Sequence, residues 1–76
     1  MDIHIQYCVE WDYLPQAASL QTAIKDKFGI TATLDEGHGG AFEVTVDGQR
    51  IFSKLKTFRF PEDQEILDKI ESLQTS

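Results

Sequence analysis

The stretch Ile3-His4-Ile5-Gln6-Tyr7-Cys8-Val9-Glu10-Trp11-Asp12-Tyr13-Leu14-Pro15 changes its period partway, and that change decides the fold. Residues 2 to 7 alternate, with Ile3, Ile5 and Tyr7 on one face and His4 and Gln6 on the other, the pattern of a half-buried strand. Beyond Cys8 the period becomes helical: Leu14, Ala17, Leu20, Ile24 and Phe28 recur along one stripe, with Asp12 as candidate N-cap, Pro15 in the first turn and Gly29 as the stop. The chain's single cysteine therefore sits at a strand-to-helix junction. The position three residues on, where a dithiol would carry its second sulfur, holds Trp11, so no disulfide can close within one chain.

Downstream, Ile30, Ala32 and Leu34 alternate with Thr31, Thr33 and Asp35, which predicts a second strand over 30–35. Gly37-His38-Gly39-Gly40 reads as a flexible connection. Phe42, Val44 and Val46 then alternate with Glu43 and Thr45 up to Asp47-Gly48, a favoured two-residue hairpin turn, and residues 50–54 return, pairing Val44 with Ile51 and Thr45 with Arg50. After a loop through Arg59, Phe60-Pro61-Glu62-Asp63 opens a last helix with Pro in its first turn and acids at its positive end. Ile66, Leu67, Ile70 and Leu73 form its apolar stripe.

The predicted order is β-α-β-β-β-α, an α/β fold. A βαβ unit supplies two parallel strands, the hairpin adds an antiparallel pair, and both helices cover one face of a mixed four-stranded sheet. The other face is expected to present His4, Gln6, Thr31, Thr33, Glu43, Thr45, Arg50 and Phe52 to water.

Length and charge narrow the function classes. Seventy-six residues make one domain, 1–76, near the lower size limit for a core without metal or disulfide support. No apolar run approaches the roughly 20 residues needed to span a bilayer, and the N-terminus lacks a signal-peptide pattern, so a cytoplasmic location is the expectation. Thirteen acids against seven Lys and Arg give a net charge of -6, which disfavours nucleic acid as a partner. His4, Cys8 and His38 lack the spacing of a metal site, so no metal is expected, and the glycine loop lacks the lysine of a phosphate loop.

Several strings together resemble one family: Tyr7-Cys8, Tyr13-Leu14-Pro15 with Ala17, Gly40-Ala41-Phe42-Glu43-Val44, Asp47-Gly48, Ile51-Phe52-Ser53-Lys54 and Arg59-Phe60-Pro61. From about Ile3 to Leu73 the chain is similar to the selenoprotein W family, also called the Rdx family. The resemblance implies a minimal thioredoxin-like fold, an intracellular location and a part in thiol redox balance linked to glutathione. Its redox motif is Cys-x-x-Cys or Cys-x-x-selenocysteine. The first position falls on Cys8; the second falls on Trp11 and does not match. Gly39 also stands where many members carry Thr. Because the tryptophan codon differs by one base from the triplet read as selenocysteine, the coding DNA at position 11 decides whether the indole is genuine.

What remains is a one-sulfur chemistry. Cys8 can attack a disulfide as a monothiol, with glutathione as co-substrate and external resolver and no resident cofactor. The positive end of the first helix favours its thiolate, while Glu10 and Asp12 oppose it. Tyr7, Trp11, Tyr13, Gly39 and Gly40 are the expected surroundings of the thiol. The expected partners are glutathione or protein thiols. The alternative is a non-catalytic module in which Cys8 is inert and Trp11 and Tyr13 dock a protein partner, since exposed Trp and Tyr make good anchors.

Overall fold

The opening alternation forms β1 (Ile3–Cys8), followed by α1 (Leu14–Phe28), β2 (Thr33–Gly37), β3 (Phe42–Val46), β4 (Gln49–Ser53), a short α2 (Lys54–Thr57) and α3 (Asp63–Thr75). The structure is a computed structural model and describes residues 1–75. The sheet order is β2-β1-β3-β4, with β1 parallel to β2 and antiparallel to β3, and β3 antiparallel to β4. This is the predicted mixed sheet.

One core holds it together. Ile3 and Ile5 of β1 and Phe42, Val44 and Val46 of β3 pack with Ala17, Leu20 and Ile24 of α1 and with Ile66, Leu67 and Ile70 of α3. Both long helices therefore lie on the same face of the sheet. Each fully buried Ile or Leu contributes about 1.5–3 kcal/mol of transfer free energy, which is why the stripe residues dominate the small domain. Tyr7 packs against this core from the same side as Ile5.

Several boundaries and faces differ from the sequence reading. α1 is capped at Tyr13 rather than at Asp12; Asp12 instead adopts a left-handed conformation with φ of 55° and ends the turn after β1. β2 begins three residues later than predicted and extends to Gly37. The carbonyl of Ala32 accepts a hydrogen bond from Gln21 Nε2 of α1 at 2.8 Å, so that segment is tied to the helix. Gly37 ends the strand opposite Cys8, and the Gln6 side chain lies across it: a Cβ there would fall 2.8 Å from Gln6 Cγ.

The hairpin turn Asp47-Gly48 has φ positive at both residues, as a tight two-residue turn requires. The strands beyond it slip: Thr45 faces Arg50 as predicted, but Val44 faces Phe52, leaving Ile51 as the extra residue of a bulge. That one-residue shift turns Phe52 inward, where it is 4% exposed, so Phe52 leaves the set predicted to face water. Glu43 leaves it too.

Although it lies on the face opposite the core, Glu43 is only 5% exposed, because Ser53 Oγ donates to one carboxylate oxygen at 2.6 Å and the Lys54 backbone N–H to the other at 2.9 Å. These two bonds start α2, a turn of helix that the four residues Lys54–Thr57 do not announce in sequence. α3 begins at Asp63, so Pro61 precedes the helix rather than occupying its first turn. Glu65 fixes that start, accepting from the Glu62 backbone N–H at 3.3 Å and from both terminal nitrogens of Arg59 at 2.9 and 2.8 Å. The Arg59 guanidinium holds the Glu65 carboxyl well below the usual range, at about 2.

His4, on the uncovered face, is flanked by Asp35 at 2.7 Å and Asp2 at 3.1 Å. Both carboxylates, Asp35 foremost, raise its pKa above 6.5.

Candidate functional site

Cys8 closes β1 with its side chain fully buried. Its backbone N–H donates to Ala41 O at 2.8 Å, and its carbonyl accepts from the Tyr13 N–H at 3.1 Å, so it is pinned between the glycine loop and the start of α1. The next residue, Val9, donates to Gly37 O at 3.1 Å, and Asp12 donates back to Val9 O at 3.1 Å to close the turn. The thiol is thus enclosed by a loop held through four backbone bonds.

Trp11 lies against the same loop from outside. Its indole is 61% exposed, yet its six-membered ring rests on Gly40, where an added Cβ would come within 2.5 Å of Cζ3. Gly40 also has φ of 80°, so two independent constraints require glycine there. Gly39 is left-handed as well, but exposed with open space around it. His38 Nδ1 lies 3.0 Å from Glu10 Oε1, joining the glycine loop to the turn after Cys8.

From Trp11 a chain of rings runs inward. Trp11 meets Tyr13 edge-on at 6.0 Å, Tyr13 meets Phe60 at 4.6 Å, and Phe60 meets Phe42 in the core at 5.3 Å. Such edge-to-face pairs are each worth about 0.5–1.5 kcal/mol beyond their burial. Lys54 Nζ sits over both Tyr13 and Phe60, at 5.4 and 5.3 Å. A cleft of about 270 Å³ lies beside this stack, walled by Pro15, Leu20, Phe42, Phe60 and Pro61. It does not include Cys8.

Of the residues singled out in sequence, Cys8, Trp11, Tyr13 and Gly40 are brought together by the bonds and ring contacts above, while Tyr7 turns toward the core and Gly39 toward solvent. Sequence reasoning missed Ala41 and Gly37, whose carbonyls hold the loop through backbone atoms and so leave no side-chain signature. It also missed Phe60 and Lys54 as partners of Tyr13. Only the Arg59-Phe60-Pro61 string pointed that way. Among the described residues no group of His, Cys, Asp and Glu is placed to hold a metal ion, and no helix is long and apolar enough to cross a membrane.

Comparison with known proteins gives one consistent pattern. The Rdx family model matches residues 2–72. The migration and invasion enhancer 1 proteins of Bos taurus and Mus musculus are each 32% identical over 69 residues, covering 90% of this chain and 60% of theirs. The chain thus spans less than two thirds of the length of these curated relatives. A selenoprotein W-related protein from Vibrio cholerae has a TM-score of 0.88 at 24% identity, with 95% of this chain and 94% of that one covered. A Bordetella parapertussis crystal structure gives 0.88 at 26% identity, covering 93% and 94%. The fold is accordingly the minimal thioredoxin-like fold that the sequence pattern led us to expect.

Proposed function

The chain belongs to the Rdx family, and from that premise we propose that it serves thiol redox balance in the cytoplasm as a one-sulfur exchanger, with Cys8 as nucleophile and glutathione as the external thiol. The observation that carries the reading is the position of Cys8: it keeps the first redox position of the family motif, buried at a strand-to-helix junction that backbone bonds pin to the glycine loop, on which the Trp11 indole rests. The Cys8 thiolate attacks one sulfur of glutathione disulfide; a Cys8–glutathione bond forms, the original S–S bond breaks, and glutathione thiolate leaves. A second thiolate, from a protein or from glutathione, then attacks the glutathione sulfur, which restores the Cys8 thiolate and leaves the incoming thiol in a disulfide with glutathione. No electrons are gained or lost by the protein over the cycle.

Because the thiol is buried, attack waits on a local opening of the Val9–Asp12 turn, and the rate follows the population of the open form. Mass spectrometry after exposure to glutathione disulfide tests this. We expect an adduct on Cys8 that forms faster in Trp11→Ala, where the indole is gone. A Cys8 that stays unmodified in both proteins removes the exchange reading.

A second reading has its own support, since a buried sulfur beside an indole that is 61% exposed also suits a docking loop without chemistry. Pull-downs with wild type, Cys8→Ser and Trp11→Ala separate the two. Capture that depends on Trp11 alone supports docking, and capture that requires Cys8 supports exchange.

A further inference from the structure

At the corner where β4 runs into α2, the molecule breaks two of its own rules. The chain carries a net charge of -6, yet four of its seven cations, Arg50, Lys56, Arg59 and Lys69, gather here. A cleft of about 350 Å³ between β4, α2 and α3 is lined by all four, with Glu65 as the one acid on its wall. Glu65 is committed to the fork of Arg59. Lys69 Nζ spends one hydrogen bond on Ile51 O at 2.9 Å, and Arg50 reaches Glu43 only at 3.8 Å. Among the described residues, Lys56 has neither a hydrogen bond nor an ion pair.

The second rule concerns Phe58. It ends α2 in a left-handed conformation, φ 60°, with its N–H bonded to Lys54 O at 2.7 Å, a cap that glycine adopts without strain and a bulky side chain does not. Its ring is 85% exposed, the most exposed of the large apolar side chains, and Leu55 beside it is 54% exposed. Thr57 Oγ1 donates to Ser53 O at 2.8 Å, holding the knuckle in place. Neither strain nor exposure benefits the isolated fold.

We propose that this corner is a docking surface for an acidic segment of a partner protein, whose carboxylates enter the basic cleft and whose apolar side chain packs on Phe58 and Leu55. Charge complementarity selects this partner: the rest of a molecule at -6 repels an acidic approach, so the one basic corner also orients the encounter. The concavity favours a peptide over an anionic bilayer, because a flat surface that met the knuckle would leave the cleft unfilled. The surface is independent of the thiol.

The test uses a displayed library of short random peptides selected on the full chain carrying Cys8→Ser, so that no mixed disulfide enters the readout. Expected are peptides rich in Asp and Glu around a Leu, Phe or Trp, with affinity that falls as salt rises. Phe58→Gly should weaken their binding at least about 10-fold while the melting temperature stays level or rises, and Lys56→Glu should weaken it comparably. Three results overturn the proposal: no enrichment of acidic peptides, equal binding to Phe58→Gly, or capture by phosphatidylserine vesicles in preference to every selected peptide.

Discussion

Two loops of this molecule meet the same backbone demand in opposite ways. The glycine loop and the knuckle after α2 each place a residue at clearly positive φ, 80° at Gly40 and 60° at Phe58. At Gly40 the chain uses the residue that fits and fills the vacated space with Trp11. At Phe58 it uses a residue that does not fit and points it into water. The first arrangement is explained by packing within the fold. The second is not, and that unexplained cost is what the proposed docking surface accounts for.

The strongest way to break this contrast is to make Gly40 resemble Phe58. In Gly40→Val the new Cβ meets the indole at 2.5 Å and a branched residue is forced into a left-handed conformation, so we expect a loss of about 3 kcal/mol. For a domain of this size that lowers the melting temperature by roughly 12–24 °C. Trp11 must also leave its seat, so a thiol reagent should modify Cys8 faster than in wild type. An unchanged melting temperature with unchanged thiol reactivity would mean that the indole does not hold the loop.

Next in size is the anchor of the knuckle. Glu43→Ala deprives the Ser53 hydroxyl and the Lys54 N–H of their acceptor on a nearly buried face, a loss of about 2 kcal/mol, measurable by urea denaturation. Glu43→Gln should recover part of it, since an amide oxygen still accepts one of the two bonds. If both variants match wild type, Glu43 does not anchor α2, and the knuckle stands on its own local bonds.

The same contrast explains what the sequence made legible. Alternating and helical periods placed β1, α1, β3, the hairpin turn and the two core stripes, because one-sided burial leaves a period in the residue order. They also placed Cys8 at its junction. What they did not reveal depends on contacts without a period. The bulge at Ile51 is a one-residue slip beside two adjacent apolar residues, Ile51 and Phe52, and it alone decides that Phe52 faces inward. α2 is too short to show a stripe and exists because Glu43, eleven residues earlier than Lys54, receives its first N–H. The Trp11 seat on Gly40 joins two loops through a glycine that has no side chain to signal it.

Phe58→Gly sharpens the comparison from the other side. Relief of the left-handed strain, less the entropy that glycine adds to the unfolded chain, predicts a gain of about 0.5–1 kcal/mol, a sign opposite to that at Gly40. A denaturation midpoint that moves down instead would show that the Phe58 ring stabilises the fold, and the two loops would then be solving the same problem after all.

The smallest effect is expected at the foot of the knuckle, where Arg59 and Glu65 pair. Glu65 has its carboxyl pulled from 4.5 down to about 2 in the folded protein, chiefly by Arg59. A group whose folded pKa is depressed stabilises fully above its unfolded value and loses that contribution as pH falls through the folded value. The contribution should therefore be constant near neutrality and fade between pH 4.5 and about 2. The side chain of Arg59 is 51% exposed, so solvent screening keeps the contribution of the pair small. Comparing wild type with Glu65→Gln across that acid range isolates it: the stability difference should narrow as the pH drops, because protonation converts the wild type to the variant's charge state. The glycine loop has no part in this pair, so the reactivity of Cys8 relative to the variant should not change over the same range. A thiol whose accessibility did follow Glu65 would mean that the two loops open together, and the contrast between them would be one of surface alone.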